Sequence, residues 1–352
     1  MRFNIHCHVF NLQAVFTSQT QHILEQRVRE AGMSQGVAQL VVKALLGIMR
    51  HQERLDALRR LFDPHSRSDL LEFLDVATLP SMDDVTDWLL GQLAPDVVIT
   101  PLMMDITLDG GGDALFQAQL EATRRQMDRH PGRVLPFVAV NPLRPDHFRF
   151  MEQALDAGFA GVKLYPSLGY SIDSEEIERV ARRCAARGVP IMQHCSKGGF
   201  YAERECIDSS RPNHWQTYLE DIEGLRVCFG HFGGERDFVG DVDDGAPEWT
   251  AEIIGLMHAF PGKVYADVSY HTIGMGGGMG GNPPRYRTLY LNRLAAVLQD
   301  PGCRPYVLWG SDSFLVRQVV TEREYWEFFT SILSPEDFEQ MASVNPRRYL
   351  GM

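Results

Sequence analysis

Along most of the chain, short runs rich in Val, Ile and aromatic residues alternate with stretches whose apolar positions recur every three or four residues. The first pattern predicts strands and the second amphipathic helices, and their alternation predicts a parallel sheet built from βα units. Eight strand runs stand out: Arg2 to Val9, Asp96 to Leu102, Arg133 to Val140, Ala160 to Tyr165, Val189 to His194, Leu225 to His231, Lys263 to Ser269 and Tyr306 to Asp312. Between the fourth and fifth runs, Ile177, Val180, Ala181 and Cys184 form one helix face, which Gly188 ends. Asn345-Pro346 predicts an N-cap and first-turn proline opening a final helix. Eight parallel strands with helices between them close into a (β/α)8 TIM barrel, an α/β fold.

Such a barrel needs about 250 residues, which leaves roughly 100 of the 352 to place. Most fall between the first and second strands, where Val37, Leu40, Val41, Ala44, Leu45 and Ile48 trace a helical stripe after Ser34. Asp63-Pro64 interrupts the run, and Ser81-Met82-Asp83-Asp84 resembles a capping box ahead of Val85, Trp88 and Leu89. The chain is therefore expected to be one domain, residues 1–352, with a helical insertion over about residues 12–92. Because the insertion follows the C-terminal end of the first strand, it is expected to cap the barrel mouth. After the seventh strand, Gly274-Met275-Gly276-Gly277-Gly278-Met279-Gly280-Gly281 lacks the Gly-Lys-Ser/Thr of a phosphate loop and predicts a mobile loop at the mouth.

Composition narrows the class. With 44% hydrophobic and 23% charged residues the chain is globular, which excludes a disordered, collagenous or coiled-coil protein. A formal net charge of −12 weighs against nucleic acid and acidic membranes as partners. The longest apolar candidate, Gly36 to Met49, is broken by Gln39 and Lys43, and the opening residues lack the basic and apolar regions of a secretion signal. A soluble, cytoplasmic protein acting on a small molecule is expected, with a homo-oligomeric state left open. The six cysteines contain no Cys-x-x-Cys pair, so free thiols are expected.

The chemistry gathers at the predicted strand ends. His6 and His8 alternate with Cys7, so both imidazoles face the barrel mouth, a spacing suited to a divalent metal such as zinc. His194 closes the fifth strand, His231 the sixth and Asp312 the eighth, the last after a nearly apolar run in which a carboxylate needs a cation or donors. Each is unremarkable singly, and a core histidine is the usual alternative for a lone imidazole. All five on strand C-termini would converge on one metal site. Lys163 ends the fourth strand, where burial beside a cation lowers an amine's pKa and opens the way to a bridging carbamate; an ordinary ion pair is the alternative.

His6-x-His8, Lys163, His194, His231 and Asp312 together resemble the amidohydrolase superfamily, and most closely its amidohydrolase-related branch of decarboxylases and lactone hydrolases. The closing Asn345-Pro346-Arg347-Arg348-Tyr349-Leu350 is similar to that branch's final motif. The resemblance implies that His6, His8 and Asp312 hold the more buried metal. It implies that His194 completes a single site or, with His231 and carbamylated Lys163, holds a second ion. In one-metal members the residue matching His231 is a catalytic group. One or two zinc ions, with Lys163 carbamylated or not, are thus expected.

Two reactions follow. In the first, metal-activated water cleaves an amide, ester or lactone, with Asp312 as proton acceptor and His231 or a second ion stabilising the oxyanion. In the second, the same site chelates a small carboxylic acid, aromatic or unsaturated, and decarboxylates it without oxidation. That reaction needs cationic anchors, for which Lys197, Arg236, Arg285 and Arg287 are candidates, although loop cations are commonly solvated. Tyr165, Phe200, Tyr201, Tyr270 and His271 are candidates for shaping the pocket, and Asp105 is a mouth residue without an assigned role. A non-catalytic barrel would be expected to have lost one of the six site residues, and none is lost.

Overall fold

Each predicted strand run overlaps a strand, the fifth and sixth strands running two residues beyond the expected ends at His194 and His231, and the strands are short and buried on both faces because the barrel interior covers one side and helices the other. They are β1 (Arg2–Cys7), β2 (Val97–Pro101), β3 (Phe137–Ala139), β4 (Gly161–Leu164), β5 (Ile191–Ser196), β6 (Val227–Gly233), β7 (Val264–Asp267) and β8 (Val307–Leu308). The computed structural model describes residues 1–15, 69–106, 113–241, 248–276 and 284–352. The 37–48 stripe, Asp63-Pro64 and most of the glycine-rich run lie outside the described residues.

All strand pairs are parallel, in a two-stranded ladder β1-β2 and a six-stranded ladder β3 to β8. Single parallel bridges join the two ladders at both seams: Ile99 to Val134 and Leu102 to Phe137 link β2 to β3, and Cys7 to Ser313 links β1 to the chain after β8. Backbone bonds from Ile5 N to Trp309 O and from Asp312 N to His6 O complete the second seam. The sheet thus runs round the ring of a (β/α)8 barrel. A cluster of Ile5, Leu102, Phe137, Met192, Cys228, Tyr265, Leu308 and Tyr349 fills its interior. Of these, Ile5, Met192, Cys228 and Leu308 lie on the N-terminal side of the candidate chemistry, one to four residues before His6, His194, His231 and Asp312. Tyr349, from the last helix, donates its hydroxyl to Ile191 O and closes this end of the barrel.

The helix Glu175–Arg187 shows how the pattern becomes structure. Ser174 caps it by accepting from Ile177 N, Ile177, Val180, Ala181 and Cys184 are its buried face, and Gly188 ends it at φ 64°. The helix Met82–Gln92 begins as expected at Ser81, which accepts from Asp84 N; its hydroxyl meets the Asp84 carboxylate, so the reciprocal half of the capping box is absent. This helix packs on Asp113–Arg129 through Arg129 to Asp83 and Asp87, in the outer layer ahead of β2. Helix Asp69–Ala77 instead reaches the mouth, where Phe73 stacks on Phe314, two residues past Asp312. Asn345 is a correction: it is helical and not a cap, and its side chain donates to Arg304 O and Val307 O, anchoring the last helix to the entry of β8. Among the described residues no helix is long and apolar enough to cross a membrane.

Candidate metal centre

At the C-terminal ends of β1, β5, β6 and β8, five side chains come together: His6, His8, His194, His231 and Asp312, each 8% exposed or less. Nε2 of His8 lies 3.1 Å from Asp312 Oδ1, and Nε2 of His6 lies 3.5 Å from the same oxygen. The His231 ring is 4.7 Å from that of His6 and 5.0 Å from that of His194, between centroids.

The far side of each ring decides what the near side offers. Nδ1 of His8 donates to Leu102 O at 2.9 Å and Nδ1 of His6 to Asp267 Oδ2 at 2.9 Å. His231 Nδ1 faces Ser269 O at 3.2 Å, and His194 Nε2 faces Gly198 O at 3.2 Å. A ring nitrogen opposite a carbonyl or carboxylate oxygen carries the proton, so in the neutral ring the other nitrogen presents a lone pair. With the rings neutral, the free atoms are Nε2 of His6, His8 and His231 and Nδ1 of His194. Two of them point at Asp312 Oδ1, a buried oxygen without a hydrogen bond. Lone pairs facing a carboxylate at this range repel unless a cation lies between them, and imidazole with carboxylate is a donor set that zinc accepts. The residues present thus fit a divalent ion.

Burial sets the protonation. It lowers His6 to about 4 and His194 well below its ordinary value, the latter helped by His231 and Lys163, so both rings are neutral. Lys163 is buried with Nζ unpartnered, and burial brings it down to about 8 against the pull of Asp267 and Asp312. Burial opposes ionisation of Asp312, while a protonated His8, His6 or His231 beside it would hold the carboxyl below its usual range.

Backbone geometry aims these groups. β8 ends at Leu308, and Asp312 has a left-handed φ of 60°; His231, inside β6, has φ 61°. Such values are uncommon for residues with a Cβ and mark sharp turns that re-aim a side chain. Close contact between β1 and the chain after β8 requires Gly310, where a Cβ would stand 2.6 Å from His6 Cβ. Asn4 and Ser311 bond each other across the same seam.

Two site residues were missed in sequence. Asp267, at the end of β7 and fully buried, accepts from His6 Nδ1, from His231 N and from Ser269 N. Ser269 Oγ lies 3.0 Å from His6 Nδ1 and 2.9 Å from His231 Nδ1 and bonds Asp267. Asp267 carries the signal already used for Asp312, a carboxylate closing an apolar strand; Ser269 carries none.

The remaining candidates divide. Tyr165 stacks on His194 at 4.0 Å and its hydroxyl accepts from Phe200 N. It lines a small cleft of ≈ 10 Å³, room for about one water, together with Lys163, Met103, Asp105, Asn141 and Tyr170. Asp105 is held there by a buried two-pronged ion pair with Arg144. Lys197 pairs with Asp237 at 2.8 Å, Arg236 with Asp241 at 2.8 Å, and Arg285 lies over Tyr286, whose hydroxyl also donates to Asp241. Arg287 donates to Gly274 O. None of these four cations has a described contact with the histidines or Asp312. His271 is buried behind β6, where it donates to His231 O. Tyr201 is buried, and Tyr270 turns at φ 59°.

The profile of the amidohydrolase family matches residues 112–352. No curated protein matches the chain. Among solved structures, a probable 2-pyrone-4,6-dicarboxylic acid hydrolase from Acinetobacter baumannii with citric acid bound aligns at 14% identity and TM-score 0.54, over 100% of this chain and 99% of that one. An uncharacterized TIM-barrel protein from Bordetella bronchiseptica aligns at 16% identity and TM-score 0.52, over 76% and 82%. A 2,6-dihydroxybenzoate decarboxylase from Rhizobium aligns at 12% identity and TM-score 0.47, over 72% and 83%. The first two show the barrel fold and nothing finer; the third is too distant to add to that.

Proposed function

Because the chain belongs to the amidohydrolase family, a metal-dependent group acting on small molecules, we propose that it hydrolyses an amide, ester or lactone of a small molecule. His6, His8 and Asp312 would hold a divalent ion, zinc by the donors offered. His194 would complete that site or, with His231 and a carbamylated Lys163, hold a second ion. When bound, such an ion brings the pKa of its water from 15.7 toward about 7. Asp312, ionised beside the ion, would accept the proton of the attacking water and deliver it to the leaving group. His231 offers Nε2 as a further donor atom to the ion; it stabilises an oxyanion only when doubly protonated, since its Nδ1 proton is committed to Ser269. Tyr165 packs His194 in place and, with Lys163, borders the small cleft beside the site. We read the chain as one domain in which helix Asp69–Ala77 helps to cap the mouth.

The observation that carries this reading is the unsatisfied Asp312 oxygen facing Nε2 of both His6 and His8. Hydrolysis is favoured over decarboxylation because none of Lys197, Arg236, Arg285 and Arg287, the anchors a carboxylate substrate would use, has a described contact with the histidines or Asp312. The test is turnover of a panel of amides, esters, lactones and aromatic carboxylates by the zinc-loaded protein and by Asp312→Asn. Hydrolysis by the first, none by the second and identical circular dichroism are expected. Carbon dioxide release without hydrolysis, or full activity in Asp312→Asn, would overturn the reading.

A further inference from the structure

A second group of metal-ligating side chains lies on the opposite face of the barrel. His258 stands in the last turn of helix Trp249–Ala259, before β7, while Asp300 and Cys303 belong to the turn between helix Pro284–Gln299 and β8. Both segments lead into the N-terminal ends of their strands, away from the centre at the C-terminal ends.

The three donor atoms form a tight triangle. His258 Nε2 is 2.9 Å from Asp300 Oδ2, Cys303 Sγ is 3.6 Å from the same oxygen, and Sγ is 3.9 Å from Nε2. The circle through three atoms so spaced has a radius of about 2.0 Å, against zinc bond lengths of about 2.0–2.2 Å to nitrogen and oxygen and 2.3 Å to sulfur. An ion slightly above that plane would reach all three donors and keep a fourth position toward solvent, to which the His258 side chain is 49% exposed. The turn holds this arrangement. Asp300 Oδ1 accepts from Gly302 N at 2.8 Å and Asp300 O from Cys303 N, which commits the first oxygen and leaves Oδ2 for the other two donors. Gly302 lets the imidazole lie against the turn, since a Cβ there would meet His258 Nδ1 at 2.5 Å. An exposed histidine–aspartate pair alone contributes little to stability, and the Cys303 thiol adds only a weak hydrogen bond to Asp300. The same thiol is the ligand that turns the pair into a nitrogen, oxygen and sulfur donor set.

We propose that His258, Asp300 and Cys303 form a surface site for a zinc-type divalent cation, which clips the end of helix Trp249–Ala259 to the turn ahead of β8. Sulfur with imidazole selects a borderline metal such as zinc over magnesium or calcium. The site is independent of the hydrolytic reading, and its failure would leave that reading untouched.

Cobalt(II) is the probe, because thiolate ligation gives a charge-transfer band in the near ultraviolet that imidazole and carboxylate ligands do not. Titrating the full-length protein is expected to develop that band, at an equivalence point that includes the ions taken up by the barrel centre, and excess zinc to remove it. Cys303→Ser should lack the band, and His258→Gln should weaken the titration at least tenfold. Cys303 is buried, so His258→Gln, at a half-exposed ring, carries the test if the serine variant does not fold. No thiolate band in the wild type, the same band in Cys303→Ser, or an unchanged midpoint in His258→Gln would overturn the proposal.

Discussion

Asp267→Asn removes one charge from behind His6, and the hydrogen bonds fix which way the new amide must turn. Asp267 Oδ1 accepts from His231 N, Ser269 N and the Ser269 hydroxyl, whereas Oδ2 accepts from His6 Nδ1 at 2.9 Å. The amide oxygen therefore stays at the Oδ1 position, where three donors converge, and the NH2 faces His6. His6 Nδ1 then has to accept, its proton moves to Nε2, and the atom aimed at Asp312 no longer carries a lone pair. Partners of this kind are worth about 10–100-fold in metal affinity, or about 1.4–2.8 kcal/mol. Equilibrium dialysis against zinc should show that loss, with kcat/KM falling in parallel at limiting zinc and partly recovering at high zinc. Both side chains are almost fully buried, so circular dichroism and urea unfolding must accompany the measurement. A folded Asp267→Asn protein with wild-type zinc affinity would refute the argument that Asp267 sets the His6 tautomer.

Other outcomes follow from the same geometry. Lys163 has its pKa lowered from 10.5 to about 8 by burial, so between those values the unfolded chain binds more protons and stability rises with pH. In metal-free protein, Lys163→Met should therefore stabilise the fold at pH 7, on the order of 3 kcal/mol, and by less as pH climbs from 8 to 10.5. Urea titrations at both ends of that range check this, and an equal effect at each would contradict it. Gly310→Ala forces a Cβ within 2.6 Å of His6 Cβ and should cost about 1–3 kcal/mol while reducing zinc content, read by thermal unfolding and elemental analysis.

Much of this arrangement was legible in the residue pattern because both the barrel and its site depend on periodicity. All eight runs overlap strands, and the buried face of Glu175–Arg187 is the face its spacing predicts. His6, His8, His194, His231 and Asp312 could be picked out because strand C-termini collect at one end of a barrel. Features set by tertiary contact could not. β8 spans only two residues, and the left-handed turns at His231 and Asp312 come from how β6 and β8 meet their neighbours. Asn345 has the local chemistry of a cap, yet backbone carbonyls from Arg304 and Val307 take its side chain. Arg144 sits in a loop, where arginines are usually solvated, and only the fold shows that Asp105 buries it. Lys197, Arg236 and Arg285 had the charge for anchors, but their partners could not be read without the packing.

The most direct measurement is anomalous diffraction from crystals grown with zinc. The account predicts an ion within about 2.0–2.3 Å of His6 Nε2, His8 Nε2 and an Asp312 oxygen. Full zinc loading with those three atoms left unligated would contradict it.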